Sequence, residues 1–321
     1  FYLLRAIAPP GQDLGAWSLA ADAVSCPMDP SSSDVGMITG EPNARPDILE
    51  AVEGLPCHSG YDGPESYVPA LYATATGMGL TWPSGSIPAA TCPGAPDDAG
   101  ARTGYPCFRP GALPIVLLFG DYSFHNGPGG TDPYSFDSPT YEETVAALNN
   151  IGARVIGVHS GSMPGDYERI ATDTGAVRVD GSPLMFPISM DGTGLDSTVV
   201  DAVAELVGGT PQDVTTVTHN VPGNPDDFDA TLFVQSVSPV EGYSDGVPGA
   251  GFGSMDGTTF HGVIPGTMVE FTIDFWNDVR PPAATAEIFE ARVVVVGHGV
   301  AELDSRRVYI VVPPVGGVVL I

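Results

Sequence analysis

At residues 113–119 the chain reads LPIVLLF, an apolar run with no polar residue interleaved. Such a run predicts a strand covered on both faces, as in a parallel sheet between helix layers. Around it, apolar residues recur at helical spacing: Ile48, Leu49 and Val52 within 46–55, and Val68, Leu71, Tyr72 and Ala75 within 65–77. Val145 and Leu148 do the same within 141–151, and Val199, Val200, Val203 and Leu206 within 196–207. A further helix is expected over 14–24, and a short one over 167–174. RVIGVH at 154–159 reads as a second buried strand, and 176–179 as a brief third. Strands and helices alternating through short links predict an α/β fold, a doubly wound and mainly parallel sheet with 113–119 at its centre.

After about Pro211 no helical window recurs. TLFVQSVSPV, TMVEFTIDFWNDV, IFEARVVVVG and RRVYIVVPP follow one another between Gly/Pro turns. Val269, Phe271, Ile273 and Phe275 alternate with Glu270, Thr272 and Asp274, the period of a strand with one face inward. This predicts an antiparallel β-sandwich, and the expected division is 1–215 and 216–321.

Composition narrows the partners. The chain has 39 acidic and 11 basic residues, net charge −28, and every basic residue is arginine. Such a field repels nucleic acid and anionic lipid and favours cations and basic partners. With 43% hydrophobic residues the chain is nevertheless globular. Cys26, Cys57, Cys92 and Cys107 form no CxxC pair and have no zinc spacing, which points to two disulfides in an oxidising compartment. Cys92–Cys107 with Cys26–Cys57 is the preferred choice among three connectivities, since the first closes a loop of Pro, Gly and Asp and contributes roughly 3 kcal/mol. The start FYLLRAIAPP lacks the form of a secretion signal, and the tail VVPPVGGVVLI is too short and broken to span a bilayer, so a processed, soluble chain is expected.

Hydrolase and nucleotide motifs are missing: there is no GxSxG, no HExxH, and no lysine to complete a phosphate loop. The six histidines stand apart in sequence, and the chain reads as a non-enzyme. Two segments carry a different signal. Asp62-Gly63-Pro64-Glu65-Ser66 precedes a helix, and the apolar run continues into Gly120-Asp121-Tyr122-Ser123-Phe124-His125-Asn126-Gly127.

VLLFGDYSFHNG resembles a strand end in the A-type domain of integrin β-subunits. That domain is of the von Willebrand factor type A-like kind, and in it an apolar strand runs into Asp and then a Phe-His pair. DGPES resembles that family's Asp-x-Pro-Glu loop. ALNNIGARVIGVHSG followed by YERIATDTGAV resembles the family's next helix, strand and helix, over about 49–206 in all. The resemblance implies a divalent-cation site at the carboxyl end of the sheet, built from hard oxygen donors with one position open to a partner's carboxylate. It implies Glu65 as a direct ligand, Asp121 as a direct or water-linked ligand, and the carbonyls of Asp62 and Pro64 at a neighbouring Ca2+ site. Asp29, Ser31 and Ser33 match the letters of the family's first loop but follow no apolar strand, so that loop is expected to be missing. The expected protein is therefore a secreted or cell-surface adhesion or ligand-binding protein using Ca2+ or Mg2+. The alternative is a metal-independent structural subunit of a surface assembly or filament, whose partners are its other subunits.

Overall fold

The computed structural model describes residues 2–4, 37–39, 64–82, 85–87, 89, 102–130, 134, 136–190 and 193–317. The helices expected over 14–24 and 46–55 lie outside these residues, as do Cys26, Cys57, Cys92, Asp29, Ser31, Ser33 and Asp62. The chain divides into two compact units, Phe1–Leu206 and Val207–Ile321. The strand β8 (Gln212–Asn220) runs through the expected 215/216 boundary and belongs whole to the second unit.

The first unit holds a three-stranded parallel sheet in the order β5 (Ile115–Gly120), β6 (Arg154–His159), β7 (Met185–Pro187). Short antiparallel pairs also occur: β1 (Tyr2–Leu4) with β2 (Met37–Thr39), and β3 (Leu80–Trp82) with β4 (Gly85–Ile87). The expectation that 113–119 is the central strand is not met among the described residues. Among the described residues β5 stands at the end of the order, and β6 is central with every residue buried. Only Leu118 of β5 is buried, while Phe119 is 39% exposed. The strand expected over 176–179 reduces to one bridge, Val177 with Pro183, and the third strand is MFP at 185–187.

Among the described residues, helices α1 (Tyr67–Thr76), α2 (Tyr141–Asn150), α3 (Gly165–Asp173) and α4 (Leu195–Gly209) flank this sheet. Helix α1 ends where Gly77 adopts φ 70° and its N–H reaches the Ala73 carbonyl at 2.9 Å, a left-handed stop that suits glycine. Helix α2 begins with a capping box. Glu143 N–H donates to Thr140 Oγ1 at 3.1 Å, and Thr140 N–H donates to Glu143 Oε2 at 2.8 Å, which also holds the Glu143 carboxyl below its ordinary range. Val68, Leu71 and Ala75 of α1 share a core with Tyr141 and Leu148 of α2, Val155 of β6, and Tyr167 and Ile170 of α3. On α4 the inward residues are Ala202 and Leu206. Val200, expected on that face, is 67% exposed, because it lies off the 199–202–206 line of the helix.

The second unit contains two antiparallel sheets. One has the order β11 (Ser254–Met255), β12 (Phe260–Val263), β8, β14 (Glu287–Gly297), β15 (Ala301–Val312), and the other β10 (Val247–Pro248), β9 (Val234–Ser244), β13 (Met268–Phe275). Phe260 of the first sheet meets Phe271 of the second at 5.3 Å between ring centroids, amid Val214, Val263, Val269 and Val295. A second aromatic cluster joins Phe228, Phe233 and Phe289, with the Arg280 guanidinium 5.6 Å from the Phe289 ring. The alternation expected in β13 holds for Val269, Phe271 and Ile273, all half-buried. It fails at Phe275, the last residue of the strand, which is 42% exposed.

Candidate functional site

The loop leaving β5 and the segment entering α1 are stitched together by their main chains. Glu65 N–H donates to the Ser123 carbonyl at 2.8 Å, and His125 N–H donates to the Glu65 carbonyl at 2.8 Å, making a parallel bridge between Glu65 and Phe124. Glu65 therefore stands beside the loop that carries Asp121, at the carboxyl ends of β5 and β6 where loops of an open α/β sheet converge. Phe124 N–H donates to Asp166 Oδ2 at 2.7 Å, which ties the same loop to the start of α3. Asn126 takes φ 55°, a conformation asparagine tolerates, and its side-chain amide donates to the Pro139 carbonyl at 2.7 Å.

Beneath these loops lies an aromatic floor. Tyr67, Phe124 and Tyr167 pack edge to face, with centroids 5.0 Å apart for Tyr67–Phe124 and Phe124–Tyr167 and 5.9 Å for Tyr67–Tyr167. Tyr167 is fully buried and its hydroxyl donates to the Tyr122 carbonyl at 2.9 Å. Burial pushes the Tyr67 and Tyr167 hydroxyls far up, and the negative charges of Glu65 and Asp121 push both in the same direction. Both carboxylates thus act on one pair of phenols. Two glycines make the close approach of these parts feasible. A Cβ on Gly120 would lie 2.0 Å from the Tyr67 hydroxyl, and one on Gly161 would lie 1.8 Å from the Asp121 carbonyl.

His159, at the end of β6, is 3% exposed. Its Nδ1 accepts the Gly161 N–H at 3.2 Å and its ring meets Tyr167 edge-on at 4.6 Å. Burial lowers its pKa, against the opposing pull of Asp121, so the imidazole is neutral at pH 7. Ser66 sits at the N-cap of α1 without capping it; its hydroxyl instead meets the Tyr134 hydroxyl at 2.6 Å.

Of the expected cation ligands, Glu65 and Pro64 are half-buried and Asp121 is exposed, all at this one end of the sheet. Asp62, Asp29, Ser31 and Ser33 lie outside the described residues. Among the described residues no group of three or more His, Cys, Asp or Glu side chains is arranged to hold a metal ion. The described donor set is therefore two hard carboxylates, a fraction of the six to eight oxygens calcium takes. Cys107 is disulfide-bonded, and its partner lies outside the described residues. No helix among the described residues is long and apolar enough to cross a membrane.

All six histidines look solitary in the sequence, yet the second unit holds a cluster built from distant positions. His261 Nδ1 meets Asp213 Oδ2 and Nε2 meets Asp256 Oδ2, each at 3.1 Å, with His298 exerting its charge on Asp213. The hydrogen bonds to Asp213 and Asp256 raise the His261 pKa. Asp256 is held down to about 2, first by the Thr258 N–H. A raised histidine contributes stability below its unfolded value of about 6.5, lost as pH rises through the higher folded value. The lowered aspartates contribute above their unfolded value of about 3.9, lost as pH falls towards 2. Stability of the second unit is therefore expected to be greatest between about pH 4 and 6.5 and to decline above it, modestly because the cluster is exposed. Thermal melts of the wild type and His261→Gln across pH 4–9 check this: the variant should lose the alkaline decline. An unchanged profile would count against it.

No family model matches the chain, and no curated protein sequence matches it. In structure it is similar to the von Willebrand factor type A from Catenulispora acidiphila, at 14% identity and a TM-score of 0.22, over 62% of this chain. The match spans 42% of that protein's length, less than half.

Proposed function

We propose that this chain is a non-enzymatic binding module of the von Willebrand factor type A-like kind, nearest in pattern to the domain of integrin β-subunits, followed by a β-sandwich. Its α/β part belongs to a doubly wound sheet, and its ligand face is the carboxyl end of β5 and β6. There Glu65 and Asp121 share a Ca2+ or Mg2+ ion whose remaining positions are filled by water and a carboxylate of a protein partner, and the carbonyl of Pro64 serves a neighbouring Ca2+ site. The observation that carries this reading is the main-chain bridge between Glu65 and the Ser123–His125 segment, which gives both carboxylates one end of one sheet. Two carboxylates held near each other repel unless a cation, a proton or an arginine intervenes. The strongly acidic surface suits a cation-dependent ligand and a secreted or cell-surface setting, with Cys92–Cys107 and Cys26–Cys57 as the disulfides.

The test is differential scanning calorimetry with Ca2+, Mg2+ or Mn2+ added to metal-stripped protein. A cation at about ten times its Kd should stabilise the first unit by about 1.4 kcal/mol. Asp121→Ala and Glu65→Gln should each abolish that increment while leaving the metal-free melt within about 0.5 kcal/mol of wild type. Failure of all three ions at millimolar concentration to bind by titration calorimetry would sink the reading. The metal-independent structural subunit would then replace it, a reading favoured by the lack of a third ligating side chain among the described residues.

A further inference from the structure

The five-stranded sheet ends on β15, 12 residues long, which pairs with β14 alone among the described residues. An edge of that length offers main-chain N–H and C=O groups to an approaching strand. At its middle, Ser305 stands across from Val294, and its own main-chain groups are met by neighbouring side chains. The Ser305 N–H donates to Asp304 Oδ1 at 2.7 Å, and its carbonyl accepts from Arg306 Nη1 at 3.0 Å. The carboxylate and the guanidinium thus occupy the places that the C=O and N–H of an added strand would take. The same two side chains meet at 2.7 Å and are 51% and 76% exposed, an ion pair that is cheap to exchange.

Charge selects the occupant. β15 carries Glu302 and Asp304 against Arg306 and Arg307, net zero, in a chain with 39 acidic and 11 basic residues. Two copies repel over most of their surfaces but not along this edge. The order Asp304-Ser305-Arg306 is also its own complement when turned antiparallel. We propose that β15 is a homodimerisation edge, at which two copies pair their β15 strands antiparallel about a two-fold axis through Ser305.

A two-fold antiparallel pairing must set one residue opposite itself, with residues of like parity facing each other. Centred on Ser305, each copy's Asp304 faces the partner's Arg306, and the two Ser305 residues exchange N–H···O=C bonds. Centred on Asp304, Arg306 or Arg307, the same strand sets a charge against its own copy, which is destabilising. Among the registers centred within the charged segment 304–307, Ser305 is therefore the one that the charges select. The bulge between Val295 and Val296 leaves Leu303 as the extra residue of β15 and ends regular pairing on that side. The shared ladder is short, and the dimer is correspondingly weak. This inference does not depend on the cation reading, and its test reads association alone.

Sedimentation equilibrium of the full chain, from micromolar to sub-millimolar concentration, is expected to show a reversible monomer–dimer system. Asp304→Arg and Arg306→Asp should each weaken it by about tenfold or more, by placing like charges across the axis. The double variant D304R/R306D should restore it, and an equimolar mixture of the two single variants should associate with each other. Ser305→Pro should abolish the dimer yet leave the far-UV circular dichroism unchanged, because the lost N–H faces away from β14. A wild type that stays monomeric throughout, or a dimer indifferent to both charge reversals, overturns the proposal.

Discussion

Gly161→Ala is expected to pry apart the two loops that form the candidate site and to destabilise the first unit by about 2–3 kcal/mol, the upper end for an added methyl group. A Cβ at this position would sit 1.8 Å from the Asp121 carbonyl oxygen, where real contacts stay beyond 3.0 Å. The obstacle is main chain, not the movable end of a side chain, so relief requires a shift of over 1 Å of the Asp121 loop or of the segment after β6. The Ser160 N–H, held by the Gly120 carbonyl at 2.9 Å, resists that shift. Gly165→Ala is the control: nothing lies within 4 Å of its Cβ and it opens α3, so it should be neutral or slightly stabilising. Thermal melts of both variants check the contrast. Equal melting temperatures would mean that the loops yield freely and that Asp121 is not fixed by this contact.

Among the described residues, element type was legible where apolar spacing was regular. RVIGVH is β6 at its predicted bounds, and the helices over 65–77 and 141–151 appear as α1 and α2 within two residues of their predicted ends. Rank within the sheet was not legible. LPIVLLF is more uniformly apolar than RVIGVH, yet among the described strands β6 is the one with neighbours on both sides, and its terminal Arg154 and His159 are buried with it. A buried arginine is admitted because its guanidinium donates to the Gly152 and Ala153 carbonyls, which no periodicity reveals. β8 escaped notice because QDVTTVTHN is mostly polar; only Val214 is buried, and its place comes from pairing with β14 and β12. Phe275 misled for the opposite reason: the alternation reads through it, but it is the strand's last residue and is exposed.

The candidate site was half legible. The segments 62–66 and 120–127 each stood out locally, and strand-end chemistry explains why: an Asp directly after a strand and a Pro-Glu before a helix are loop positions by composition. Their meeting rests on main-chain bonds between Glu65 and residues 123 and 125, which have no side-chain signature. The aromatic floor was invisible for a related reason. Tyr67 and Tyr167 lie in the first turns of different helices, and only the folded chain brings them to one spot beneath Gly120. The Asp213–His261–Asp256 cluster likewise draws on separate strands and a turn, so its members look solitary in the sequence.

Tyr167 is where floor and loops are joined, and its truncation should have the largest effect of any single change in the first unit. The side chain is fully buried, shares the core with Val68, Leu118, Val155 and Ile170, and packs against Phe124, Tyr67 and His159. Tyr167→Ala removes that volume and should cost about 3–5 kcal/mol. At about 2–4 °C per kcal/mol for a unit of this size, the melting temperature should fall by about 10 °C. Tyr167→Phe separates packing from the hydroxyl. It keeps the ring but leaves the Tyr122 carbonyl without its donor at 2.9 Å, and it should cost about 1–3 kcal/mol. Because Tyr122 directly follows Asp121, the phenylalanine variant should also loosen the loop, raising amide exchange at 121–125 while β6 remains protected. Hydrogen exchange distinguishes the two contributions. If the phenylalanine variant melted like wild type with unaltered exchange at 121–125, the hydroxyl would have no part in positioning the loop, and packing alone would account for the tyrosine.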